Sequence, residues 1–192
     1  MFVTSCLGSN DKGHLTIGGV DAVDLANKYG TPLYVMDERT IRGHCRTFQQ
    51  SIDDNYGGKG LAVYASKAFN CKEMCRIIKD EGLGIDVVSG GELYTALSVD
   101  FPPEKIVFHG NNKTEEEIKL ALESGVGRIV VDNLTELRTI EKMAAELNKN
   151  PGVMIRIKPG IDAHTHNFIR TGQIDSKFGF AVQQGAEGGG EG

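Results

Sequence analysis

Leu61-Ala62-Val63-Tyr64-Ala65-Ser66-Lys67-Ala68-Phe69 is the stretch from which the rest of the chain is read. Leu61 to Tyr64 form a short apolar run of strand type, and a lysine follows its end after two small residues. An ammonium there loses much of its hydration. Desolvation favours the neutral amine, which attacks carbonyl carbon to form a Schiff base. A strand-end lysine that turns into solvent is the competing reading, and these nine residues alone leave both open.

Toward the C-terminus the pattern repeats. Strand-like runs begin near Leu61, Gly84, Lys105, Arg128 and Gly152, at intervals of 21 to 24 residues. Between them the spacing predicts helices over Lys72–Glu81, Glu92–Leu97, Thr114–Ser124 and Asn133–Leu147, with Gly82 and Gly125 as stops. Thr114 with Glu117, and Asn133 with Glu136, have the spacing of helix caps. Strand and helix alternating at a steady period imply parallel strands with right-handed crossovers, either a β/α barrel or an open doubly wound sheet. Polar residues close the successive strands: Lys67, then Asp86 and Ser89, His109 and Asn111, Asp132, and finally Arg156 and Lys158. In a barrel those ends converge on one rim, where such folds place their chemistry. Singly, each has a structural explanation; Asp132 with Asn133 reads as a cap, and Lys158 before Pro159 as loop. Their presence in every repeat favours the barrel.

Toward the N-terminus, His14–Ile17 reads as a strand and Val20–Tyr29 as a helix ended by Gly30. An extended run from Pro32 to Met36 reaches Asp37, which has the chemistry to cap a following helix. In that helix Ile41, Cys45, Phe48 and Ile52 recur at helical spacing as one apolar stripe, and Asn55 to Gly60 is a turn.

The composition is that of an ordinary globular protein, 192 residues with 40% apolar and 24% charged side chains. A net charge of -5 argues against a nucleic-acid partner. Residues 1–13 lack the basic and apolar regions of a signal peptide, and no run approaches the roughly 20 apolar residues of a membrane span, so a cytoplasmic address is expected. Four cysteines, Cys6, Cys45, Cys71 and Cys75, form neither a disulfide framework nor a zinc ribbon; Cys75 is expected in the core and Cys71 on a helix surface. His164 and His166 stand two apart with no third ligand of suitable spacing, so no metal is expected.

Several separated motifs carry a resemblance. Tyr64 to Ala68, Gly84 to Leu93, His109 to Lys113, the run from Ile155 through His164, His166 and Thr171 to Gly179, and Tyr29 to Tyr34 occur in order. They resemble the pyridoxal-phosphate decarboxylases of alanine racemase fold type, over roughly residues 13–182. Within that family they are similar to the branch acting on diaminopimelate, ahead of the ornithine, arginine and carboxynorspermidine branches. The resemblance implies pyridoxal 5'-phosphate held by Lys67 and an amino-acid substrate losing carbon dioxide. It implies Asp86 beside the cofactor or Lys67, His109 near the ring, and Arg156 and Glu92 in the polar shell of the rim. Lys177 matches a region used at the homodimer interface of the complete family enzyme.

The expected architecture is therefore α/β: a lead-in segment over 1–60, a partial TIM-type β/α barrel over 61–182, and a disordered Gly/Glu-rich tail over 183–192. About five of eight β/α units are countable, against roughly 250 residues for a complete barrel. The family's ring-stacking histidine, phosphate loop, acidic partner of the pyridine nitrogen and C-terminal β-domain are not found. Gly188 to Gly190 lack the flanking strand and helix of a phosphate loop. The expectation is an incomplete copy with an unpaired fifth strand and doubtful activity on its own, or else a non-catalytic cofactor-binding module.

Overall fold

The computed structural model describes residues 5–158 and 179–181, in two compact units that divide between Ala62 and Val63. His164, His166, Lys177 and Gly188 to Gly190 lie outside the described residues.

In the first unit, β1 (Leu7–Ser9), β2 (Leu15–Ile17) and β3 (Val20–Asp21) form an antiparallel sheet, followed by α1 (Ala22–Tyr29) and α2 (Glu38–Tyr56). The predicted helix start at Val20 is corrected. Gly18 and Gly19 both take positive φ, 60° and 85°, which closes a two-residue hairpin and pairs Val20 with Ile17. The helix begins one residue after Asp21, whose carboxylate accepts from the N–H groups of Val23 and Asp24. His14 and Asn10 also reach that carboxylate, at 2.9 and 2.7 Å, and together they hold its pKa down to about 2. Asp37 caps α2 through the Thr40 N–H, as expected. The predicted apolar stripe of α2 is incomplete within this unit: Cys45 is buried, whereas Phe48 is 63% exposed.

The second unit is a five-stranded parallel sheet, β4 (Val63–Ala65), β5 (Gly84–Val87), β6 (Ile106–Phe108), β7 (Arg128–Val131) and β8 (Val153–Ile155), in sequence order. The intervening helices are α3 (Lys72–Asp80), α4 (Gly90–Leu97), α5 (Glu115–Ser124) and α6 (Leu134–Glu146). This is the partial barrel that the alternation predicts. Side chains alternate across a strand, and Ile85, Val87, Ile106, Phe108, Ile129 and Val131 are all buried, with α3 and α4 packed on β5 and α6 on β7. Asp86, Val107, His109 and Asp132 therefore occupy the opposite face.

The caps decide the helix starts. Thr114 and Glu117 make a full capping box at α5. Ser89, expected on the rim, instead caps α4, which starts at Gly90 rather than Glu92. Cys71, expected on the helix surface, caps α3 through the Met74 N–H, while Cys75 is buried as expected and its burial pushes the thiol pKa up. As expected, the fifth strand is an edge of its sheet: among the described residues β8 pairs only with β7, and Val153, Met154 and Ile155 are exposed. After Arg156 the chain continues as β9 (Ile157–Lys158), and β10 (Phe180–Ala181) pairs with it in parallel, so Lys158 lies in a strand rather than a loop. Among the described residues no helix is long and apolar enough to cross a membrane.

Candidate active site at the strand ends

The rim is built from the residues that follow β4 to β8. Lys67 sits in a single 3-10 turn, Ser66–Ala68, directly after β4. The parallel register sets Ala65 beside Asp86, and Asp86 beside Val107, which places the Lys67 turn, Asp86 and His109 at successive strand ends. Lys67 is exposed, so the desolvation inferred from its strand-end position is not met in this structure.

Asp86 and His109 form the polar centre. His109 Nδ1 stands 3.6 Å from Asp86 Oδ2, an ion-pair distance too long for a good hydrogen bond. Asp86 Oδ1 and His109 Nε2 are buried with no hydrogen-bond partner among the described residues. Buried polar groups are almost always paired, and an exception invites a ligand or a catalytic role. A carboxylate oxygen and a ring nitrogen left open at neighbouring strand ends fit a ligand with polar atoms to pair with them.

Beyond β7 a second network fixes the rim. Asp132 accepts from Arg156 Nη1 at 3.4 Å and from the Gly179 N–H at 3.0 Å, tying the ends of β7 and β8 to the start of β10. The Arg156 backbone bridges both neighbours, donating to Val131 O and accepting from the Phe180 N–H. Beneath it lies a buried ion pair that sequence reading missed. Lys113 Nζ donates to Glu136 Oε1 at 2.7 Å, Val130 O at 2.7 Å and Gly110 O at 2.8 Å, with side chains 1% and 6% exposed. All three ammonium protons are used. Glu136 Oε2 then accepts from the Asp132 N–H at 2.7 Å. Asn111, expected on the rim, lines a pocket with Asn133 and Thr139 that neither Asp86 nor His109 borders.

The structure thus brings Lys67, Asp86 and His109 to adjacent strand ends and joins Arg156 to Asp132 beside them. Comparisons with known proteins bear on the family of the chain. The family model described as "pyridoxal-dependent decarboxylase, pyridoxal binding domain" matches residues 38–189. The diaminopimelate decarboxylase of Bacillus methanolicus is 54% identical over 92% of this chain and 40% of its own length. That of Bacillus subtilis is 51% identical over 96% of this chain and 42% of its own. The solved diaminopimelate decarboxylase of M. jannaschii in complex with L-lysine superposes with a TM-score of 0.83 at 39% identity, covering 96% of this chain and 43% of that one. The chain spans about two-fifths of the length of these relatives.

Proposed function

This chain belongs to the pyridoxal-dependent decarboxylase family, and from that membership we propose that it supplies the pyridoxal-binding part of a diaminopimelate decarboxylase, which converts meso-diaminopimelate to L-lysine and carbon dioxide. The observation that carries the reading is the open pair Asp86 Oδ1 and His109 Nε2 at strand ends adjacent to the Lys67 turn. In this reading residues 61–182 are the cofactor-binding segment, 1–60 a lead-in and 183–192 a tail. By the same resemblance the complete enzyme is a cytoplasmic homodimer.

Pyridoxal phosphate, when bound, supplies an electron sink for the bond broken as carbon dioxide leaves. Lys67 would hold the cofactor through its amine, and its Nζ would be the atom to hold and return a proton. Asp86 and His109 would be the groups to hold the cofactor ring, and Arg156, itself anchored on Asp132, would add a positive charge to the same rim.

A chimera tests this. Residues 38–181 replace the corresponding segment of the Bacillus subtilis relative, and lysine formed from meso-diaminopimelate is measured. The expected result is lysine production that Lys67→Ala abolishes. A folded chimera that binds the cofactor without forming lysine, or a Lys67→Ala chimera that still forms it, overturns the reading.

A further inference from the structure

We propose that Glu92 is a positioning residue for Lys67: its carboxylate ties the turn that carries Lys67 to the turn that follows Asp86. The inference rests on the reading of Lys67 as the cofactor lysine. Glu92 Oε2 accepts from Ser66 Oγ at 2.7 Å and from the Val88 N–H at 2.7 Å. Ser66 is 1% exposed and immediately precedes Lys67; Val88 stands two residues after Asp86. Both backbone segments that present site residues therefore end on a single oxygen atom. Short bonds to a carboxylate are the strong ones, and both of these are partly buried.

A helix cap explains only half of this. Glu92 is the third residue of α4, where a glutamate ordinarily reaches back to the N–H groups that start its own helix. The bond to Val88 has that character, but the bond to Ser66 crosses to the preceding β/α unit. Glu117 and Glu136, third in α5 and α6, behave alike. Glu117 accepts from its own Thr114 N–H at 2.9 Å and from the Gly90 N–H of the preceding unit at 2.6 Å. Glu136 accepts from the Asp132 N–H and from Lys113 of the preceding unit. Three consecutive helices thus stitch the rim unit to unit with one carboxylate each. At Glu92 the donor across the stitch adjoins Lys67, so the device reaches the reactive position.

The chemistry separates position from charge. Both donors use one oxygen, and a Gln carbonyl has two lone pairs to receive them. Glu92→Gln therefore preserves the tie and Glu92→Ala removes it. The test treats the 192-residue chain with pyridoxal phosphate and borohydride. Peptide mass spectrometry then follows the labelling of Lys67 relative to the surface lysine Lys142. A small misplacement of a reacting group lowers its rate steeply, so Glu92→Ala is expected to reduce the Lys67 to Lys142 ratio about tenfold, with Glu92→Gln within about twofold of the parent. Ser66→Ala, which keeps the Val88 bond, is expected to fall between them, and the core variant Ile140→Val to leave the ratio unchanged. An unchanged ratio in Glu92→Ala or Ser66→Ala, a loss in Glu92→Gln equal to that in Glu92→Ala, or an equal loss in Ile140→Val overturns the inference. A parent chain that labels Lys67 no faster than Lys142 overturns the cofactor-lysine reading, and this inference with it.

Discussion

Replacing Lys113 with methionine probes the buried network behind the rim. Met keeps most of the apolar stem and a polarisable group near the Phe108 ring, over which the ammonium now sits at 5.8 Å, so little packing is lost. What disappears is charge and three donors. Glu136 keeps its bond from the Asp132 N–H but is left as a carboxylate 6% exposed without its cation, and Val130 O and Gly110 O each lose a donor. Removing one partner of a buried pair costs about 3–5 kcal/mol, because the other charge remains desolvated. At about 2–4 °C per kcal/mol for a protein of this size, the melting temperature of the second unit falls by roughly 6–20 °C. Urea unfolding followed by circular dichroism measures the loss directly. Adding Glu136→Gln removes the stranded charge while an amide oxygen still accepts from Asp132, so the double variant is expected to recover part of the loss. A Lys113→Met protein within about 1 kcal/mol of the parent, or a double variant less stable than the single one, would refute the reasoning that the uncompensated charge dominates.

Other perturbations test separate links. Thr114→Ala removes one half of the α5 capping box and is expected to cost about 1 kcal/mol in urea unfolding; a cost below about 0.3 kcal/mol would mean that the Glu117 bonds hold the helix start unaided. At Gly127 an added Cβ would overlap the backbone oxygen of Glu104, so Gly127→Ala is expected to cost about 1–3 kcal/mol, and a neutral substitution would show that the 102–105 turn yields freely. Asp21 titrates near 2 when folded against an ordinary 3.8. Its contribution to stability is therefore present above about pH 4 and is lost as the pH falls toward 2. Asp21→Asn should flatten the melting temperature of the first unit across that window, and an unchanged acid dependence would exclude Asp21 as its source.

Much of the second unit is legible in the sequence because its signals are local. The interval between strand starts, the Thr114–Glu117 box and the Asn133 cap each lie within one repeat, and all appear in the structure. Asp86 and His109 are legible for a related reason: Asp86 lies within β5 and His109 directly after β6, strands whose alternate residues are buried, so parity sends both to the other face. What escaped is set by backbone conformation or by distance. The Gly18–Gly19 hairpin converts Val20 from helix to strand through two positive φ angles. At Ser89 the choice between rim and cap depends on where α4 begins. Lys113 and Glu136 stand 23 residues apart, and nothing in either segment alone marks them as a buried pair. The same holds for the Ser66–Glu92 bond, at a separation of 26. β10 has two residues, too short to announce itself by periodicity. The exposure of Lys67 departs from the strand-end argument because a 3-10 turn intervenes before the side chain is presented.

The most direct measurement on the central claim, that Lys67 is the cofactor lysine of a pyridoxal-binding rim, is the absorbance spectrum of the chain titrated with pyridoxal phosphate, before and after borohydride, beside Lys67→Ala. The account predicts a visible band in the parent that borohydride removes and that the Lys67→Ala protein lacks. An equal band in the variant would show that other lysines take up the cofactor and would contradict the assignment of Lys67.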